Sequence, residues 1–283
     1  MKILITGVSG QLGGELYKIS EYENYGTYLS NLPKNIGKNM NKVDIAKFDD
    51  IFNFIKRIKP DWVIHCAALR NVDLCEENKE LAWKSNVIGT ENIVGACKKF
   101  GVKMVYVSTD YVFDGNNGAY KEEDIPNPVN FYGKTKIIGE WLVRNVEYFL
   151  IVRPSMIISN TPGNYVDFTI NGLKNGGISG ATDIKSSPTL VSELAEAVIT
   201  AIEKDLSGIY HMAGDEMVSR YDFMRMVAKN FGYDSDLVKP TTSVELKFKA
   251  KRPKDTSLDI TKSKKMKIKF SALNESLKKI KFN

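Results

Sequence analysis

Short apolar runs alternate along the first half of the chain with segments whose apolar positions recur at helical spacing. Ile3-Leu4-Ile5 is the first run. It breaks at Thr6-Gly7, and after Gly13 a helical period opens with Leu12, Leu16 and Ile19. The pattern predicts a weak strand around Thr27 to Leu29, a helix from Phe48 to Ile58 closed by Pro60, and a strand at Trp62-Val63-Ile64. Leu81 to Phe100 has the period of a long helix with Gly101 as its stop, and Met104-Val105-Tyr106-Val107 is the next strand. A helix over Asn130 to Val146 and a strand over Phe149 to Val152 complete the series. Alternation of this kind predicts an α/β fold, a Rossmann-like doubly wound parallel sheet covered on both faces, with ligands beyond the carboxyl ends of its strands.

After Arg153-Pro154 the alternation loosens into loop-rich sequence with glycines near Gly163, Gly176-Gly177 and Gly180. A smaller C-terminal substrate domain is therefore placed over residues 153–283, following a dinucleotide-binding domain over 1–152. A helix at Val191 to Ala201 and a strand at Ile209-Tyr210-His211 are expected to rejoin the first domain, over about 188–211, which makes the second discontinuous.

Composition excludes several classes. Hydrophobic residues at 43% and charged residues at 26% sit near the globular average, and no stretch approaches the roughly 18 apolar residues of a membrane helix, so a soluble protein with no membrane partner is expected. Lys+Arg 40 against Asp+Glu 34 leaves +6, much of it between Lys247 and Lys281. A lysine-rich segment of that sort reads as a solvated face, and no nucleic acid is called for. Cys66, Cys75 and Cys97 are odd in number and lack Cys-x-x-Cys spacing, which argues against a disulfide framework or zinc site and for a reducing cytoplasm. The chain enters a strand at Lys2, so no secretion leader is expected.

Thr6-Gly7-Val8-Ser9-Gly10-Gln11-Leu12-Gly13 sets three glycines at spacings of three between a strand and a helix. Such a turn brings backbone N–H groups and the positive end of the helix dipole against a diphosphate. Gly7, Ser9, Gly10, Gln11, Leu12 and Gly13 are accordingly expected to bind a dinucleotide. Roughly 20 residues on, where an acid would hold the ribose hydroxyls of NAD, the chain has Ser30-Asn31 with Lys34 nearby. Small polar groups and a lysine tolerate a 2′-phosphate, so NADP is favoured with NAD as the alternative, and Asp44-Ile45 are assigned to the adenine end.

Tyr132-Gly133-Lys134-Thr135-Lys136 places a phenol and an ammonium at i and i+4 on one helix face. A free tyrosine has a pKa of about 10, and a neighbouring cation favours its ionised form, so Lys136 is expected to tune Tyr132 as a proton donor. A hydroxyl at the end of the preceding strand, Ser108 or Thr109, would lie at the sheet's carboxyl edge, within reach of a substrate carbonyl.

Taken with these motifs, the chain resembles the dTDP-4-dehydrorhamnose reductase family of the extended short-chain dehydrogenase/reductases. The resemblance runs through Thr6 to Gly13, Asp61 to Ala68, Val72-Asp73, Asn86, Ser108 to Gly115, Pro128 to Lys136 with Gly139-Glu140, Pro188-Thr189, and Arg252-Pro253 with Leu258-Asp259. It implies Thr109, Tyr132 and Lys136 as the catalytic trio with Ser108 beside them. It adds Cys66, Ala67, Ala68 and Asn86 to the cofactor contacts, alongside Tyr132 and Lys136 themselves. Val72, Asp73, Ser108, Thr109, Ser155, Met156 and Arg252 become substrate contacts, with Arg252 and Lys251 as partners for phosphate. Two departures fall near the sugar: Arg153-Pro154-Ser155-Met156 replaces a sequence with an aromatic residue, and His65-Cys66-Ala67-Ala68-Leu69-Arg70 replaces a more polar loop. Some family members hold magnesium through glutamates at a dimer contact, and Glu15 and Glu193 match two of those positions. Both are expected to be surface helix residues, with no metal, and a homodimer is left open. His65 and His211 read as core or edge histidines, and Trp62, Trp83 and Trp141 as packing residues.

The implied reaction is NADPH-dependent reduction of a nucleotide-linked 4-keto-6-deoxy sugar. A sugar 4,6-dehydratase would show an acid where Tyr111 stands, and a 3,5-epimerase-reductase would need a further acid/base pair. The non-enzyme rival is a regulatory subunit resembling that of methionine adenosyltransferase. With no acid at Ser30-Asn31, NADPH is expected to bind at least as tightly as NADH; calorimetry with both nucleotides checks this, and a clear preference for NADH would refute it.

Overall fold

Seven strands form one sheet in the computed structural model, which describes residues 1–30 and 37–281. The chain runs through β1 (Lys2–Thr6), α1 (Gln11–Ile19), β2 (Glu23–Tyr28), β3 (Met40–Lys42), α2 (Phe48–Ile58) and β4 (Trp62–His65). It continues through α3 (Val72–Glu77), α4 (Lys79–Trp83), α5 (Gly89–Phe100), β5 (Lys103–Val107), α6 (Phe131–Val143) and β6 (Phe149–Arg153). Beyond these come β7 (Ile157–Ile158), α7 (Tyr165–Lys174), β8 (Ile178–Ala181), β9 (Lys185–Ser186), β10 (Thr189–Leu190), α8 (Val191–Glu203) and β11 (Gly208–His211). The last elements are β12 (Val218–Ser219), α9 (Arg220–Asn230), β13 (Val238–Thr241), α10 (Thr261–Lys265) and α11 (Leu273–Lys279). The sheet order is β11-β6-β5-β4-β1-β2-β3, with all neighbours parallel. The order reverses between β1 and β4, and Thr6 pairs there with His65 at the carboxyl edge, where such sheets hold their ligands.

The strands are apolar throughout because both faces are covered. Ile3 and Ile5 face one core with Leu16 of α1 and Leu194 and Val198 of α8, while Leu4 faces the other with Ile51, Ile55 and Ile93. Each such side chain contributes roughly 1.5–3 kcal/mol on burial. A further core gathers Ile158, Val166, Leu190, Phe223, Val227 and Leu277 from α7, α9, α11 and the short strands. Among the described residues, no helix is long and apolar enough to cross a membrane.

The elements differ from the periodicity in informative places. The helix after the glycine turn starts at Gln11 with Gly10 as its N-cap, so Gly13 lies inside it. The long helix expected from Leu81 contains a π-helical turn at Lys84–Ile88. One extra residue per turn shifts the face by about 100°, so a single helical phase read across it misplaces side chains. Trp83 is 43% exposed, and Trp141, one position past the inward-facing Glu140, is 58% exposed; neither is the core residue expected. Glu193 is likewise not a surface residue: it is buried and accepts from Lys279 Nζ at 2.8 Å and Ser271 N at 3.0 Å. Glu15 pairs with Lys18.

Glu140 and Arg153 form an ion pair at the centre of the fold with side chains 0% and 1% exposed. Arg153 donates Nε to Oε1 at 2.9 Å and Nη2 to Oε2 at 2.7 Å, and Ser108 Oγ donates to Oε1 at 2.6 Å. Glu140→Gln leaves the guanidinium buried without its counter-charge, so urea unfolding should show a loss of about 3–5 kcal/mol. Adding Arg153→Met should recover much of it; a double variant no more stable than the single one would mean that the unpaired charge is not the cause.

Candidate active site

The glycine turn is shaped by its own backbone. Gly7 has φ +74°, and a Cβ there would stand 2.8 Å from the Ala67 Cα; a Cβ at Gly13 would stand 2.4 Å from the Gly7 carbonyl oxygen. Only glycine lets β1, the turn and the loop after β4 close on one another. Gly10 and Ser9 are exposed, and the N–H groups of the first turn of α1 have no partner within the helix. Gln11 Nε2 is buried with no hydrogen-bond partner among the described residues. An orphaned donor beside a positive helix end fits the diphosphate of a dinucleotide. Leu12 buries its side chain and offers only its backbone. Ser30 is exposed just past β2, whereas Asn31 and Lys34 lie outside the described residues. Asp44 Oδ1 accepts from Ala46 N at 3.0 Å, and Ile45 packs against Gly89 while its carbonyl accepts from Asn92 Nδ2 at 2.9 Å.

The loop carrying Cys66, Ala67 and Ala68 is fixed from both sides. Thr6 Oγ1 accepts from Ala67 N at 3.3 Å, and Asn86, in the π turn, exchanges hydrogen bonds with the Leu69 backbone at 2.7 and 3.1 Å. Asn86 Nδ2 also reaches Thr135 Oγ1 at 3.0 Å, so its side chain clamps this loop onto α6. His65 lies between Thr6 Oγ1 and Thr90 Oγ1 at 2.8 and 3.0 Å; burial, with the Lys136 charge, pulls its pKa down to about 3. Burial pushes the Cys66 thiol up to about 12, despite Lys136 nearby.

Thr109 follows the end of β5, and Tyr132 and Lys136 stand one turn apart on α6. Asn130 caps that helix by accepting from Gly133 N at 2.9 Å. Thr109 lies beside the Tyr132 phenol, and its Oγ1 donates to Asp110 Oδ1 at 2.9 Å. Lys136 Nζ stands 4.1 Å over the Tyr106 ring. Burial pulls its pKa from 10.5 down to about 7, opposed by the charge of Glu140. The lowering of the Tyr132 phenol expected from Lys136 is not what this arrangement produces. Burial, chiefly, and the Asp110 charge push Tyr132 upward, against the lowering influence of Thr109. Ser108 is tied to Glu140 and faces the core ion pair.

Asp110 was not singled out by its own chemistry in the sequence, yet it joins three parts of the chain. Its oxygens accept from Thr109, from Ser155 Oγ at 2.7 Å and from Thr256 Oγ1 at 2.6 Å; burial nevertheless raises its pKa. Ser155 is therefore part of this cluster. Arg252 donates Nη1 and Nη2 to the two oxygens of Asp73 at 3.0 and 2.9 Å, closing the C-terminal segment over α3. Burial raises the Asp73 carboxyl, but Arg252 and the Ala250 N–H outweigh it and hold it below its ordinary value. Val72 and Met156 are half-buried, and Lys251 is exposed. Glu140 and Arg220 were also missed. Glu140 had a signal, one turn past Lys136 and two past Tyr132 on the same face; Arg220 had none.

The reversed strand order, the glycine turn and the Tyr132 and Lys136 pair one turn apart on α6 mark an extended short-chain dehydrogenase/reductase. The family described as RmlD substrate binding domain matches residues 1–281, and the chain belongs to this dTDP-4-dehydrorhamnose reductase family. It is 34% identical over 275 residues to the dTDP-4-dehydrorhamnose reductase of Aggregatibacter actinomycetemcomitans, covering 92% of this chain and 91% of that one. It is also 29% identical over 272 residues to methionine adenosyltransferase 2 subunit beta of Mus musculus, covering 92% and 81%. The solved dTDP-4-dehydrorhamnose reductase of Bacillus anthracis, in complex with NADP, superposes with a TM-score of 0.88 at 29% identity, covering 99% and 98%.

A lysine whose pKa falls on folding destabilises the fold wherever the unfolded chain still holds that proton. The penalty is complete below about pH 7 and fades as pH rises toward 10.5. In the cofactor-free protein, Lys136→Met should therefore be more stable than wild type at pH 6, with the advantage shrinking toward pH 10. Denaturant midpoints across that range check this; a gain independent of pH would contradict it.

Proposed function

We propose that the protein is an NADPH-dependent reductase of a nucleotide-linked 4-keto-6-deoxy sugar, with dTDP-4-dehydrorhamnose as its substrate and dTDP-rhamnose as its product. The observation that carries this reading is the placing of Thr109 beside the Tyr132 phenol at the sheet's carboxyl edge, next to a glycine turn that, among the described residues, keeps an unpaired donor for a diphosphate. The NADP complex of the Bacillus anthracis relative supports the cofactor. The reduced nicotinamide supplies hydride when bound. Tyr132 gives its proton to the carbonyl oxygen, and its raised pKa keeps that proton in place until negative charge develops on the substrate. Thr109, held by Asp110, orients the carbonyl, and Lys136 stabilises the phenolate once the proton has left. Asn86 and Thr6 hold the loop that borders the nicotinamide. Met156 takes the place of an aromatic base contact, so thymidine and uridine carriers are discriminated weakly. A cytoplasmic setting suits three free cysteines.

The regulatory-subunit reading rests on the mouse relative and on Lys136, which faces Tyr106 and Glu140. Reduction of dTDP- and UDP-linked 4-keto sugars, followed by NADPH absorbance, separates the two. Turnover of both is expected, and Tyr132→Phe should lower it by about 10²–10⁴ while NADPH still binds. Tight NADPH binding with no turnover of either sugar would replace the reductase reading with the regulatory one.

A further inference from the structure

Arg220 opens α9 and reaches back toward the carboxyl edge of the sheet. Its Nη2 donates to Tyr111 OH at 3.1 Å, and its guanidinium carbon stands 4.5 Å over the Tyr165 ring. Its Nε is buried and has no hydrogen-bond partner among the described residues. Tyr111 in turn meets Tyr132 edge-on, with ring centroids 6.2 Å apart. The guanidinium therefore lies one aromatic ring away from the phenol assigned as proton donor.

Two other buried or half-buried arginines near this edge are neutralised: Arg153 by Glu140 and Arg252 by Asp73. Among the described residues, no carboxylate oxygen comes within 4.0 Å of an Arg220 nitrogen. The nearby Asp110 feels its charge, but its oxygens are occupied by Thr109, Ser155 and Thr256. Aromatic faces compensate a desolvated cation only in part, and an open N–H on it is a cost until an acceptor arrives. An anion bound here would meet a rigid fork whose buried Nε–H is open and whose Nη2 can turn from Tyr111 to the ligand.

We propose that Arg220 is the anchor for the diphosphate of the nucleotide sugar, the role that the sequence assigned to Arg252 and Lys251. The proposal deepens the reductase reading and rests on it. In such a sugar the diphosphate leaves C1, across the pyranose ring from C4, so an anion site one ring's width from Tyr132 leaves the reacting carbonyl at the phenol. Tyr165 and the exposed Phe168, ring centroids 5.6 Å apart on α7, offer the nucleoside end an apolar surface in place of the ring that Met156 lacks.

The test is calorimetry of dTDP and of thymidine with wild type, Arg220→Met and Arg220→Lys, alongside NADPH binding as a check of the fold. Arg220→Met should lose about 10- to 100-fold in dTDP affinity with thymidine and NADPH binding unchanged, and Arg220→Lys should recover part of the loss. In turnover, Arg220→Met should raise KM while kcat stays nearly constant. Equal dTDP affinity in Arg220→Met and wild type, an equal loss for thymidine, or no dTDP binding by wild type would each overturn the anchor. The reductase reading fails separately, when wild type reduces no 4-keto sugar; a dTDP contrast between the proteins would then still uphold the anchor.

Discussion

Glu140 lies wholly out of water on the inner face of α6, and its two oxygens are shared by Arg153 from the end of β6 and Ser108 from the end of β5. Arg153 also reaches His211 on β11 at 3.3 Å and stacks on Phe113. Four elements are thus pinned to one carboxylate. A buried pair is weak as a source of net stability, because desolvation offsets most of the attraction. Its consequence is geometric: α6 cannot rotate or slide without breaking the pair, so Tyr132 and Lys136, on the same face, hold a fixed position against the strand ends.

A second carboxylate performs the equivalent service for the cleft. Asp110 gathers hydroxyls from the end of β5, the segment after β6 and the C-terminal segment. The Arg252–Asp73 pair adds a link between that C-terminal segment and α3. Residues far apart in the chain thereby enclose the space above Thr109 and Tyr132. The same enclosure explains the electrostatics: groups that would titrate ordinarily in water are displaced toward their neutral forms, upward for Tyr132 and downward for Lys136.

Motifs that depend on local backbone were legible in the chain. The glycine turn, the N-capped helix carrying Tyr132 and Lys136, and the apolar strands all follow from spacing of a few residues, because the chemistry needs only neighbours on one helix face or one turn. The strand end pointed to Ser108 or Thr109, and resemblance then singled out Thr109 in a string that also holds Asp110. Exposure of Trp83 was not legible, since the π turn at Lys84–Ile88 changes helical phase without a local sign.

By itself, then, the sequence determined the parallel α/β architecture, the place of the dinucleotide turn and the Tyr132–Lys136 pair, all set by hydrophobic period and short-range geometry. Tertiary structure alone decided which polar groups are used up and which stay open. Arg252 looked free and is paired with Asp73; Ser108 looked like a substrate contact and is bound to Glu140; Arg220 had no motif and keeps a buried donor with no partner among the described residues. The physical reason is that a charge's role depends on the partners it meets across the fold, and residues as far apart as Asp73 and Arg252 meet only when the chain has closed.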